Sequence, residues 1–337
     1  MRIVLDAMGS DLHPDPEVRA VIDAAQHWND EIILVGPEDD LNSRLNSLAA
    51  GHPRIRIVHA PEVLEMGDKP AENARRKSQN SMAVGMDLVK SGEADAFVTA
   101  GNTGGAMATA LFHLGRIRGV KRPALTALFP VRGGHCVVLD IGANSDCKPE
   151  YLQQFAIMGS IYANKVLGIP RPKVAILSNG EEAGKGNELV KEAFPLLQSS
   201  KLNFIGNVEG KELFGGEVDV VVTDGFTGNI LLKSSEAVAK LITEMLRNEL
   251  TSSLRTKIGA LLAKPAFGSI KKMMDPGEVG AAPLLGINGL IFVGHGRSDA
   301  RALFNGIRVA RQAVENDLLD ALKDALQERL VESKEGI

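Results

Sequence analysis

Cysteine is almost missing from this sequence: Cys136 and Cys147 are the only two in 337 residues. They allow at most one disulfide, form no CxxC, and make no zinc-ligand cluster with the seven scattered histidines, so both read as reduced thiols. Long apolar runs are missing too. No stretch reaches the roughly 18 apolar residues of a membrane span, and the opening MRIVLDAMG reads as a strand, without the apolar core and cleavage site of a signal peptide. A cytoplasmic location is therefore expected. Excess positive charge is also lacking: a formal net charge of -4, with 24% charged residues, makes nucleic acid an unexpected partner. No GxxxxGK[ST] loop is present, and GNTGGA lacks the GxGxxG spacing after the first strand, which disfavours ATP and NAD. No GxSxG elbow and no evident Ser-His-Asp or Cys-His set occurs; Cys147 has no histidine near it in sequence.

What the chain does have is rhythm. Apolar runs recur, each followed by turn residues and a helical pattern: RIVLDAMG, EIILVG, IRIVHA, ADAFVTAG, CVVLDIGAN, KVAILSNG, LNFIGNV and VDVVVTDGF. Parallel strands covered on both faces read as continuous apolar runs, so an α/β fold with a largely parallel sheet flanked by helices is expected. Helices are predicted over 17–28, 73–91, 107–114, 151–167, 187–197 and 231–250, with one or two closing helices over 298–330. Residues 1–337 read as one unit, or as two lobes dividing near residue 150.

The polar candidates sit at strand ends, where an open parallel sheet presents its ligand crevice and glycines let backbone amides approach an anion. DAMGSD offers Asp6, Gly9 and Asp11. AGNTGGAM offers Gly101, Asn102, Thr103 and Gly104, and DIGANSDCKPE offers Asn144, Asp146 and Lys148. SNGEEAGKGNE offers Lys185, and TDGFTGNILLK offers Asp224, Gly228 and Asn229. His13 and His295 are further candidate bases or ordinary loop histidines. Five such turns without a nucleotide motif suit an anion the size of phosphate. Inorganic phosphate carries its own nucleophilic oxygen, so an enzyme holding it against an activated carbonyl needs mainly positioning and oxyanion stabilisation, for which Lys148 and Lys185 are the charged donors.

The stretch 252–274, SSLRTKIGALLAKPAFGSIKKMM, is unlike its surroundings: it has five Arg or Lys and no acid. Leu254, Ile258, Leu261 and Leu262 cluster on one side of a helix that also carries Lys257 and Lys264; Phe267, Lys271 and Lys272 follow Pro265. An anionic membrane, an acidic partner protein, and packing at a dimer interface are all compatible with it.

The blocks DAMGSD, KPAENARRKSQNSM, GEADAFVTAGNTGGAM, LGRIRGVKRPAL, LDIGANSDCKPEYLQQFAIMGSIYA, GEEAGKGNELVKEA, NFIGNVEG, DVVVTDGFTGNILLKSSE and GAAPLLGINGLIFVGHGRSDARALFNGIRVA together resemble the PlsX family of phosphate acyltransferases, in order and over nearly the whole chain. That resemblance implies transfer of a fatty acyl group from acyl carrier protein to inorganic phosphate, with the acyl phosphate passed to a membrane acyltransferase acting on glycerol 3-phosphate. It implies a fold like the isocitrate and isopropylmalate dehydrogenases and phosphotransacetylase, a homodimer, peripheral membrane association, and neither metal nor organic cofactor. Asn102, Lys185 and Asn229 are the expected catalytic residues. The family commonly reads DAMGGDHAP where this chain has DAMGSDLHP, so Ser10 replaces a glycine and Leu12 a histidine. A phosphotransacetylase acting on acyl-CoA, a dehydrogenase of related fold, and a noncatalytic carrier or membrane scaffold are the rival readings.

Overall fold

The computed structural model describes residues 1–48, 52–68 and 70–335. Its strands are β1 (Arg2–Asp6), β2 (Glu31–Gly36), β3 (Ile55–His59), β4 (Ala96–Thr99), β5 (Ala124–Val131), β6 (Gly134–Leu139), β7 (Lys173–Leu177), β8 (Asn203–Val208), β9 (Val220–Val222), β10 (Ala281–Leu285) and β11 (Ile291–Gly294). The helices begin with α1 (Asp15–His27), α2 (Glu38–Leu48), α3 (Pro70–Arg76), α4 (Ser81–Lys90), α5 (Thr103–His113), α6 (Pro149–Lys165) and α7 (Glu188–Gln198). They continue with α8 (Gly210–Gly215), α9 (Gly225–Thr251), α10 (Leu254–Leu262), α11 (Lys264–Met274), α12 (Pro276–Val279), α13 (Ala300–Glu315) and α14 (Leu318–Glu335).

All the strands join one sheet in the order β3-β2-β1-β4-β11-β10-β5-β6-β9-β7-β8. Successive residues feed opposite faces: Ile3 and Leu5 belong to one buried cluster and Val4 to the other, as do Val137 and Leu139 against Val138. Both faces are thus covered, which is why these strands read as unbroken apolar runs.

The expected parallel sheet is present but changes polarity midway. β3, β2, β1, β4 and β11 run parallel, β10 runs antiparallel to β11 and to β5, and β5 runs antiparallel to β6. From β6 onward β9, β7 and β8 are again parallel to one another. β1 and β4 therefore point one way and β6, β9 and β7 the other, so their C-terminal ends leave the sheet at opposite edges. Four strand steps separate the ends of β4 and β6, with Thr99 level with Val138, so the two ends are about 20 Å apart at the usual sheet spacings.

Two helix expectations change. The span 73–91 divides at residues 77–80, because the Glu62 backbone pairs with Gln79 and Ser81 and the Asn80 side chain accepts the Ala83 N–H at 3.0 Å, starting α4 afresh. The closing stretch, expected as one or two helices, is two, broken at Asp317 with φ 51°. α9 is longer than expected at 27 residues, and its distal half is exposed.

Candidate active site

At the first edge the ends of β1, β4 and β11 meet. The buried Asp6 carboxylate accepts the Thr99 hydroxyl at 2.7 Å and the Met8 N–H at 3.0 Å, and Thr99 Oγ1 accepts the Gly101 N–H at 2.9 Å. Burial pushes the Asp6 carboxyl upward, opposed by hydrogen bonds from Ser81, Thr99 and Met8. Asp6 thus sets the AGNTGG turn in place, its carboxylate buried against donors of the chain itself. Gly9 is required by close packing, since a Cβ there would stand 2.8 Å from the Ala100 nitrogen and 3.0 Å from that of Gly101.

Asn102 caps α5. Its Oδ1 accepts the Gly105 N–H at 2.9 Å, while Nδ2 donates to the Met66 carbonyl at 2.8 Å and tethers the preceding loop. The next two N–H groups, of Thr103 and Gly104, have no hydrogen-bond partner among the described residues, and Thr103 is exposed. Unpaired amides at the positive end of a helix are suited to an anion.

Asp11 joins this edge through its N–H, which donates to the Gly296 carbonyl at 2.7 Å. That contact brings in the β11–α13 turn, where Asp299 caps α13 by accepting the Ala302 N–H at 2.8 Å and His295 and Arg297 are exposed. Arg297 has no carboxylate partner among the described residues. Sequence reasoning missed it and kept only His295. The signal was available in GHGRSDARAL, which repeats the strand–turn–capped-helix pattern, but its strand IFVG had not been read.

The second edge holds the other candidates. Asp140 is buried, and its carboxylate accepts N–H groups of Leu125, Gly142, Ala143 and Asn144 and the Asn144 side-chain amide, at 2.7–3.2 Å. The amides of DIGAN, expected to cradle phosphate, are thus occupied by the loop's own carboxylate. Burial raises the Asp140 carboxyl and these donors oppose the shift. Asn144 also donates to the Pro123 carbonyl at 2.7 Å, and Asn229 donates to that of Ile141 at 3.1 Å. Asp224 caps α9 through the Thr227 N–H and hydroxyl, at 2.8 and 2.7 Å. Gly228 packs so closely that a Cβ would lie 1.9 Å from the Asp140 carbonyl oxygen. Asp146, Lys148 and Lys185 are exposed.

The five turns therefore fall into two groups, carried by strands that run in opposite directions. Asp6, Gly9, Asp11, Gly101, Asn102, Thr103 and Gly104 assemble at the first edge; Asn144, Asp146, Lys148, Lys185, Asp224, Gly228 and Asn229 lie at the second. Cys147, beside Asn144, has its thiol pushed up to about 12 by burial and the nearby Asp140 carboxylate, a poor setting for a thiolate nucleophile.

On α10, Leu254, Ile258, Leu261 and Leu262 are all more than half exposed, as sequence spacing had grouped them. Lys257 and Lys264 are exposed and Phe267 is half-buried, whereas the side chains of Lys271 and Lys272 lie outside the described residues. Among the described residues no helix is long and apolar enough to cross a membrane.

Residues 1–320 match the sequence family described as "Fatty acid synthesis protein". The phosphate acyltransferase of Pelotomaculum thermopropionicum is 48% identical over 97% of this chain and 95% of its own length, and that of Acidobacterium capsulatum is 50% identical over 92% of each. Among solved structures, a phosphotransacetylase from Streptococcus pyogenes superposes with a TM-score of 0.61 at 17% identity, covering 96% of this chain and 94% of that one. A branched-chain phosphotransacylase from Enterococcus faecalis gives 0.57 at 15%, covering 94% and 100%. The α/β architecture is thus that of the phosphotransacetylases, and the sequence matches extend over nearly the full length of both partners. The chain belongs to the phosphate acyltransferase family, enzymes of fatty acid and lipid synthesis that transfer acyl groups.

Proposed function

We propose that the protein transfers a long fatty acyl chain from acyl carrier protein to inorganic phosphate, giving acyl phosphate and free carrier. The observation that carries this reading is the open pair of N–H groups at Thr103 and Gly104, at the same sheet edge as the turn that carries Arg297. Phosphate seated there attacks the thioester carbonyl with its own oxygen, the C–O bond forms, and collapse of the oxyanion breaks the C–S bond and releases the carrier thiolate, which takes up a proton. The oxyanion forms within bond length of phosphate, so its donors come from the same edge: the Thr103 hydroxyl and neighbouring amides. Asn102 holds those donors in place through its cap.

Lys185 and Asn229 follow β7 and β9, which run opposite to β4, so within one chain their turns lead away from that phosphate. They enter the reaction only through a second copy of the chain, and α9, whose first turns contain Asn229, carries an exposed stripe of Val238, Leu241, Ile242 and Met245 suited to a homodimer. Co-expressing Asn102→Ala with Asn229→Ala tests this: partial recovery of activity in the mixture supports shared sites, and none removes Asn229 from the chemistry. The exposed leucines of α10, with Lys257 and the following Lys264, are assigned to an anionic membrane surface, where acyl phosphate would be handed to a membrane acyltransferase acting on glycerol 3-phosphate. Leu261→Asp with Leu262→Asp should abolish flotation with anionic vesicles; unchanged flotation would refute that assignment.

The main reading is tested by incubating the protein with palmitoyl-acyl carrier protein, with and without phosphate, trapping acyl phosphate with hydroxylamine and following carrier release. Phosphate-dependent hydroxamate is expected. Turnover of acetyl-CoA in its place would make the protein a short-chain phosphotransacetylase, and carrier binding without product would make it a scaffold.

A further inference from the structure

Between Gly115 and Leu139 the sequence has five Arg or Lys residues and no acid, in a chain of net charge -4. Four of them, Arg116, Arg118, Lys121 and Arg122, fall within seven positions of the loop between α5 and β5, and all four are exposed. Their spacing follows from the loop's anchors. Ile117 and Val120 are buried at 2% and 5% exposure, so the positions around them turn outward. The backbone is fixed: Ile117 N–H donates to the Gly286 carbonyl at 3.0 Å, and Gln154 of α6 bonds the Gly119 carbonyl at 2.9 Å and the Lys121 N–H at 2.8 Å. Arg116 itself bonds the Lys121 carbonyl. Among the described residues no carboxylate lies within ion-pair distance of any of the four. Four unneutralised cations on a rigid loop create a local positive field on an acidic protein.

We propose that this loop is the docking surface for the acidic acyl carrier protein, an assignment that rests on the carrier being the acyl donor. Three observations choose that occupant. A membrane is disfavoured because the loop's two large apolar side chains, Ile117 and Val120, are buried, unlike the leucines of α10. The patch lies at the C-terminal end of α5 and the open amides at its N-terminal end, so the two are joined by a helix about 16 Å long at the α-helical rise. A carrier presents its thioester on an extended prosthetic arm, which suits docking at one end of that helix and reaction at the other. Along the way α5 shows a half-exposed track of Gly104, Met107 and Leu111, continued by Leu114, apolar enough to lie against the arm or the acyl chain. The carrier and membrane contacts are thereby assigned to separate surfaces, the loop and α10.

The test is Arg118→Glu with Lys121→Glu, both exposed and outside the catalytic edge, compared with Arg118→Gln with Lys121→Gln. At low salt the reversal should raise KM for palmitoyl-acyl carrier protein about tenfold or more, with the neutral pair intermediate. kcat and the KM for phosphate should not change, nor should turnover of palmitoyl-pantetheine, which has no protein to dock. Added salt should raise the wild-type KM toward that of the variant. An unchanged carrier KM overturns the proposal, as does an equal loss with palmitoyl-pantetheine, or loss of anionic vesicle binding with carrier kinetics intact. If the wild-type protein turns over no carrier substrate, the functional reading fails separately, and calorimetric titration with unacylated carrier still decides the patch: weaker binding by the reversal supports it, and equal binding overturns it.

Discussion

Gly9 offers the sharpest perturbation of the proposed phosphate site because two of its three nearest contacts are backbone nitrogens that cannot turn aside. In Gly9→Ala the new methyl meets the Ala100 nitrogen at 2.8 Å and both the Gly101 nitrogen and Thr99 Oγ1 at 3.0 Å. Ordinary contacts begin near 3.4 Å, so the β4–α5 junction must retreat by roughly half an ångström, and overpacking of this kind costs about 1–3 kcal/mol. The displaced atoms include the Thr99–Gly101 hydrogen bond, which sets the direction of the first α5 amides. If about 2 kcal/mol of that strain is expressed in phosphate binding, KM for phosphate rises roughly thirty-fold. Gly105→Ala is the control: its methyl meets nothing nearer than Asn102 Cβ at 3.6 Å, and alanine in a helix is favoured over glycine by up to about 1 kcal/mol. Initial rates at varied phosphate, with thermal unfolding in parallel, distinguish the two. A Gly9→Ala protein with normal phosphate KM would refute the placement of phosphate at this turn, even if its melting temperature fell.

Glu17 is buried against Ser10, and burial raises its carboxyl to about 7. A raised acid contributes stability that is complete below its unfolded value near 4.5 and is lost as pH rises through 7, so Glu17→Gln should stabilise the protein at pH 8 by up to about 3 kcal/mol and have little effect at pH 4.5; equal effects at both pH values in denaturant titrations would contradict this. Asp140→Asn should destabilise by about 2–3 kcal/mol, since the amide replaces an acceptor with a donor facing N–H groups; an unchanged unfolding midpoint would show that the carboxylate is not needed. Cys147→Ser should retain turnover, and the wild-type thiol should resist iodoacetamide at pH 8; a labelled, inactivated protein or a trapped acyl-cysteine would overturn direct attack by phosphate.

The strands with unbroken Val, Ile and Leu runs were legible because burial on both faces writes itself into composition. β5, β10 and β11 were not read. β10 is AAPLL, with Pro283 inside it, and β5 ends in Phe129-Pro130-Val131, so alanine and proline obscure the strand pattern. Those strands are also the ones that reverse the sheet, which is why local reading found the turns but placed them in one crevice. Asn102 and Asp224 were found as polar residues at helix starts, and their role as caps follows from the same positions. The occupation of the DIGAN amides by Asp140 depends on how the loop folds back on itself, and the freedom of Arg297 depends on which acids lie near it in space; neither is written in a single stretch of sequence.

The strand order also constrains how the chain is made. β4 acquires its second neighbour, β11, only after roughly 190 further residues have been synthesised, an interval of about 10–40 s at ordinary elongation rates. Until then the edge of β4 beside the AGNTGG turn is an exposed pairing surface on a nascent chain. A ribosome-bound chain ending before β10 would therefore hold both halves of the sheet without the strands that join them, and would be a substrate for chaperones or for pairing with another unfinished copy.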